Sequence, residues 1–234
     1  MAGSVLGIHQ PNFLPWPGYF IKLACSDQFI FLEDVIIDYY GYARRCKING
    51  GTQWLTVALQ ENKRKLMINN YFVAVERNNE SLLKEIKKQY NKSAYFSEVY
   101  PYLESILSEK NKSLANYNAD LIKSIASRLK ISSNFYFSSE LNVNAAGSEK
   151  IKQLCMALNT SAYLSGISGK NYLDFAKFKA AGIQLKLIDM KAGIDNYLQS
   201  NKINLKSEVS IIEWLFSIGF VETSNIIKTL SSQI

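Results

Sequence analysis

The chain has 234 residues, a formal net charge of +7 and three cysteines. That length buries a core without covalent staples, and Cys25, Cys46 and Cys155, odd in number and far apart, suggest neither a disulfide framework nor paired metal ligands. The start MAGSVLGIHQP has no basic stretch leading into a long apolar one, and no run approaches the roughly 20 apolar residues of a membrane span, so an unexported, cytoplasmic protein is expected.

Val5 to Ile8 is a short apolar run that gives way to HQPNFLPWPG, which holds three of the four prolines; it reads as a buried strand entering a loop. YFIKLACSD follows as a short helix, then QFIFLEDVII as a buried strand, completing a βαβ outline. YARRCKI and QWLTVAL flank NGGT, a hairpin signal, and NNYFVAVE is a further strand candidate. SLLKEIKKQYNKSAYF, VYPYLESILSEK and SLANYNADLIKSIASRLKI carry apolar residues three to four apart and are predicted helices. FYFSSELN reads as strand and loop, SEKIKQLCMALN as a helix with Ser148 as N-cap, and TSAYLSG as a strand entering a glycine loop. A short helix over LDFAKFKAAG ends at Gly182, IQLKLIDM is a strand, and VSIIEWLFSIG closes the chain as an amphipathic helix. The expected architecture is α/β: one unit over 1–234 with a mostly parallel sheet and a helical insertion subdomain at about 80–130.

Chemistry concentrates in three segments. His9, the only histidine, stands where the first strand gives way to its loop, the end at which open α/β sheets bind ligands, and its side chain suits proton transfer near neutral pH. A partly buried histidine bonded to backbone fits the position equally well. SGISGKNYLD offers successive N–H groups and Lys170 for a phosphate, although its spacing matches neither the P-loop nor the dinucleotide pattern. Ser165 and Ser168 lack the flanking glycines of a nucleophile elbow. In the third segment Arg45 and Lys47 share a strand face, with Arg44 on the other, and could grip a phosphate or carboxylate; an exposed, charge-decorated hairpin explains the spacing as well. One histidine and scattered cysteines offer no zinc ligand spacing, so no metal is expected. The charge is compatible with nucleic acid, anionic lipid or a phosphorylated small molecule; the Tyr-rich DVIIDYYGYARRCK has a strand-binding composition, yet a solvated Lys-rich surface accounts for it more simply.

Taken together, IHQPNFLPWPGYF, DQFIFLEDV, the arginine before WLTV, KSAYF, FSSEL, AYLSGISGKNYLD and SIIEWLFSIG resemble the WbqC-like protein family nearly end to end. The shared positions are Gln10, Pro11, Pro15, Gly18, Tyr19, Asp34, Arg45, Trp54, Ser165, Gly166, Gly169, Tyr172 and Asp174, while Arg44, Cys46 and Ala58 depart from the family pattern. The resemblance implies a role among enzymes of O-antigen, lipopolysaccharide and other bacterial surface polysaccharides: attachment of an acyl or aminoacyl group, such as glycyl, to the amino group of a nucleotide-linked amino-dideoxy sugar. On that reading His9, placed by its position at the strand end, is the expected base, and Gln10, Tyr19, Asp34, Arg45, Ser165, Gly166, Gly169 and Tyr172 from the shared positions, with Ser168 and Lys170 from the glycine-rich turn, are the expected substrate-binding residues. The partners would be the nucleotide sugar and an activated acyl or amino-acid donor, with aminoacyl-tRNA the one nucleic acid in view and ATP the one cofactor left open. FLPWPGYF ahead of SDQFIFLEDV is also similar to the start of HIGH-motif nucleotidyltransferases, which implies a HUP-like fold; Pro17 and Tyr19 stand where histidines of that motif would be. A non-catalytic assembly protein of the same pathway is the alternative, and a glycosyltransferase a weaker one, because Asp34 and Asp38 do not form a D-x-D pair.

Overall fold

The computed structural model describes residues 4–60, 64–108 and 112–234. Strand β1 (Val5–His9), helix α1 (Pro17–Ala24) and strand β2 (Gln28–Phe31) form the first βαβ unit. Pro17 at the first helical position pre-sets the helical φ and lacks an N–H that would be unsatisfied there. The hairpin β3 (Arg45–Ile48) and β4 (Gln53–Thr56) turns through Asn49, Gly50 and Gly51, all at positive φ. Then come α2 (Val75–Tyr90), α3 (Phe96–Leu107), α4 (Leu114–Arg128), β5 (Asn134–Phe137), α5 (Gly147–Ala157), β6 (Ala162–Gly166), α6 (Phe175–Ala180), β7 (Gln184–Ile188), α7 (Met190–Ser200) and α8 (Ile211–Ser231).

Five strands pair in parallel in the order β5-β2-β1-β6-β7. Counted along the chain, the sheet runs outward through β2 to β5, then returns to the other side of β1. This is the doubly wound, Rossmann- or HUP-like order, with its switch point between β1 and β6. Side chains alternate between two cores: Phe29, Phe31 and Leu164 join the α1, α4 and α8 layer, whereas Ile30 and Tyr163 pack with Ile151 and Leu154 of α5 and Phe178 of α6. Gly7 is dictated by close approach, since a Cβ there would sit 2.5 Å from Ser26 Oγ and 2.7 Å from the Phe29 ring. The hairpin and three helices are inserted between β2 and β5.

Four details differ from the sequence reading. NNYFVAVE is not a strand: residues 68–70 form a 3₁₀ turn and α2 starts at Val75. Its backbone groups go to different partners, with Val73 N–H donating to Lys112 O and Leu114 N–H to Tyr71 O, so isolated bridges replace a ladder. QFIFLEDVII is strand only to Phe31, because the buried Glu33 carboxylate collects the Ser138 N–H (3.0 Å), the Ser139 N–H (3.2 Å) and the Ser138 hydroxyl (2.7 Å). Ser148 is inside α5 rather than its cap, which is Ala146, and its hydroxyl accepts the Asp174 N–H at 2.9 Å. Finally, α8 runs well past the expected close, bending at Gly219 (φ 74°), where a Cβ would meet the Tyr95 ring at 2.6 Å.

Candidate functional site

A cleft of about 340 Å³ opens at the carboxyl ends of β1 and β6, at the switch point. The loop from Gln10 to Trp16 forms one wall and is clamped from three sides. Asn118, fully buried on α4, donates through Nδ2 to Pro11 O (2.8 Å) and Ala43 O (2.6 Å), tying the loop to the hairpin's approach. Ser210 Oγ donates to Leu14 O (2.7 Å), and Ile211 N–H to Pro15 O (2.9 Å), so the start of α8 holds the other end. Leu14 is buried at φ 39°, a left-handed conformation unusual for leucine that these anchors maintain.

Of the expected residues, His9, Gln10, Tyr19, Ser165, Gly166, Ser168 and Tyr172 meet around this cleft. Gln10 O accepts from the Tyr19 hydroxyl (3.2 Å) and lies 3.0 Å from His9 Nδ1. A carbonyl only accepts, so Nδ1 carries the proton and Nε2 the lone pair. The His9 and Tyr19 rings meet edge-on, centroids 4.9 Å apart. Burial and the neighbouring Lys22 charge push His9 down to about 4, which keeps the imidazole neutral near pH 7. Burial raises the Tyr19 phenol well above its ordinary range, so it keeps its proton and can donate to Gln10 O.

The remaining expected residues lie elsewhere. Gly169 is buried beneath the loop, where a Cβ would be 2.3 Å from Ser165 Oγ; it shapes the wall without lining it. Lys170 is exposed on the 3₁₀ turn Ile167–Asn171 and does not line the cleft. Asp34 is paired with Lys150 Nζ at 2.6 Å and with Ser138. Arg45 is on the hairpin, its guanidinium 4.0 Å from the centre of the Trp54 ring. His9 and Gln10 also line a second hollow of about 290 Å³, with Asp38, Gly41 and Tyr42 on its other wall, so the histidine stands between two spaces. A larger hollow of about 590 Å³ lies among Ala24, Arg128, Ile131 and Lys228, at the amino ends of the strands, away from the loops that carry ligands in such sheets.

Lys22 escaped the sequence reading. It is 6 % exposed, lines the main cleft, donates from Nζ to Ile8 O at 2.6 Å, and lies 5.7 Å from the centre of the Tyr163 ring. Burial alone brings its ammonium down to about 7. The signal was present: Lys22 is three residues after Tyr19 in an apolar helix, which puts both on one face. Trp16, Tyr163 and Met190 also line the cleft, the last from α7, a helix the sequence reading passed over. The cysteines are free, and burial pushes their thiols up to about 11 for Cys25 and about 12 for Cys46 and Cys155, the reverse of an activated nucleophile. Among the described residues no helix is long and apolar enough to cross a membrane.

Comparison with known proteins agrees with the motifs. The profile of the WbqC-like protein family matches residues 10–225. An uncharacterized protein of Mycobacterium tuberculosis is 27% identical over 225 residues, covering 92% of this chain and 94% of the relative. No solved structure matches the chain significantly.

Proposed function

Because the chain belongs to the WbqC-like protein family, we propose that it serves surface-polysaccharide biosynthesis by transferring an acyl or aminoacyl group, such as glycyl, to the amino group of a nucleotide-linked amino-dideoxy sugar. The observation that carries this reading is the setting of His9: a neutral imidazole at the switch point, its tautomer set by Gln10 O, with hollows on both sides of it. One hollow suits the sugar and the other the donor. As the sugar nitrogen bonds to the acyl carbon, that nitrogen becomes acidic and His9 Nε2 takes its proton, then returns it to the departing donor group. An imidazole held near 4 is a weak base toward a free ammonium but adequate for a nitrogen already bonding to carbon. Holding both substrates in register supplies most of the remaining acceleration. Direct transfer, without an acyl-enzyme, agrees with the raised thiols.

The test is transfer of radiolabelled acyl or glycyl groups onto a panel of dTDP-, UDP- and GDP-linked amino sugars. His9→Ala is expected to lower turnover by roughly 10²–10⁴ with nucleotide-sugar affinity unchanged. Loss of affinity in the same proportion would remove His9 from the role of base, and absence of transfer with every donor would favour an assembly protein.

A further inference from the structure

We infer that Lys22 is the seat of a ligand oxyanion, a phosphate or a carboxylate, at the floor of the switch-point cleft. Its ammonium has three donors, and the only hydrogen bond found for it among the described residues goes to Ile8 O. No carboxylate among those residues pairs with it, although Lys150, equally buried, has Asp34 at 2.6 Å. The titratable groups around it are His9 at the end of β1, Tyr19 on its own helix, Tyr163 on β6 and Tyr172 in the following loop. His9 is held neutral and burial raises the Tyr19 and Tyr163 phenols, so these three supply no negative charge at neutral pH.

A cation buried without a counterion is costly, and a fold retains one where a ligand completes the pair. The surroundings are those of an oxyanion site. Ser165, Ser168 and Tyr172 line the same cleft, as does Gly18, the second residue of α1, a position whose N–H has no carbonyl one turn back within the helix. A Cβ on Gly18 would fall within 2.2 Å of the Trp16 ring, so the glycine keeps that wall in place. Among the described residues Lys22 is also the only lysine or arginine lining the cleft; Lys170 and Arg45 lie outside it. The inference deepens the transferase reading by naming the residue that receives the substrate's anionic group, and it rests on that reading for the substrate's identity alone.

Titration calorimetry with inorganic phosphate, pyrophosphate, acetate and glycine, on wild type and on Lys22→Met, distinguishes the two sources of oxyanion. At least one class is expected to bind, with affinity at least roughly tenfold weaker in Lys22→Met. At pH 8, where Lys22 is mostly neutral, binding should also take up close to one proton in wild type and none in the variant, shown by runs in buffers of different ionisation enthalpy. A merely structural lysine would not give that uptake. Absence of binding by every probe, or equal affinity and equal uptake in Lys22→Met, would overturn the inference. If phosphate binds through Lys22 while no nucleotide amino sugar is modified, the seat stands and the transferase reading falls; if transfer survives undiminished in Lys22→Met, the transferase reading stands and the seat falls.

Discussion

Replacing Lys22 by methionine should stabilise the protein. In the folded state burial lowers the ammonium from its ordinary 10.5 to about 7. At about 1.4 kcal/mol per pH unit, this corresponds to a cost of about 5 kcal/mol at neutral pH. Methionine has similar length and no charge to desolvate, but it leaves Ile8 O without its donor, which returns about 1–2 kcal/mol. The expected net gain is about 3 kcal/mol, or roughly 6–12 °C in Tm for a chain of this size. The sign with pH follows from proton counting. Between about 7 and 10.5 the unfolded chain binds the Lys22 proton and the folded one does not, so wild-type stability rises with pH there. The advantage of Lys22→Met is therefore full below about pH 7 and shrinks as pH rises toward 10.5. Denaturant melts at pH 6, 8 and 10 measure it. A variant less stable than wild type at pH 6, or an advantage that does not change with pH, would refute the assignment of a buried, unpaired ammonium.

Other outcomes follow from the same geometry. His9 is lowered from 6.5 to about 4, so its contribution to stability is lost as pH falls through that interval, and the acid limb of the proposed transferase's rate profile should lie near pH 4 rather than 6.5. Asn118→Leu leaves Pro11 O and Ala43 O without a donor and should cost about 2–4 kcal/mol in chemical denaturation, loosening the loop that follows His9. Asp34→Asn strands the buried Lys150 ammonium and should cost about 3–5 kcal/mol, whereas pairing Asp34→Leu with Lys150→Met should recover most of it. Gly169→Ala drives a methyl into Ser165 Oγ and should weaken oxyanion binding in calorimetry more than it lowers Tm.

Local pattern alone was enough for the elements with a clean period: the apolar run ending at His9, the proline-rich loop before α1, the Asn-Gly turn of the hairpin and the helices of the middle. It also located the two loops that border the cleft, because strand-to-loop transitions and glycine clusters are properties of contiguous residues. What it could not supply was any fact set by long-range partners. NNYFVAVE has strand composition, yet its backbone groups are claimed by Ala58, Lys112 and Leu114, residues remote in sequence. The acidic Glu33 ends β2 because Ser138 and Ser139, in the turn after β5, arrive from more than a hundred residues away. Arg45 and Lys170 looked like phosphate ligands from charge and spacing; packing turned one onto Trp54 and the other to solvent, and buried Lys22 in the cleft instead. Residue type and period determined which segments fold and which loops border the cleft. Only the parallel order of β1 and β6, with helices packed over it, decided which lysine is buried in the cleft at the switch point.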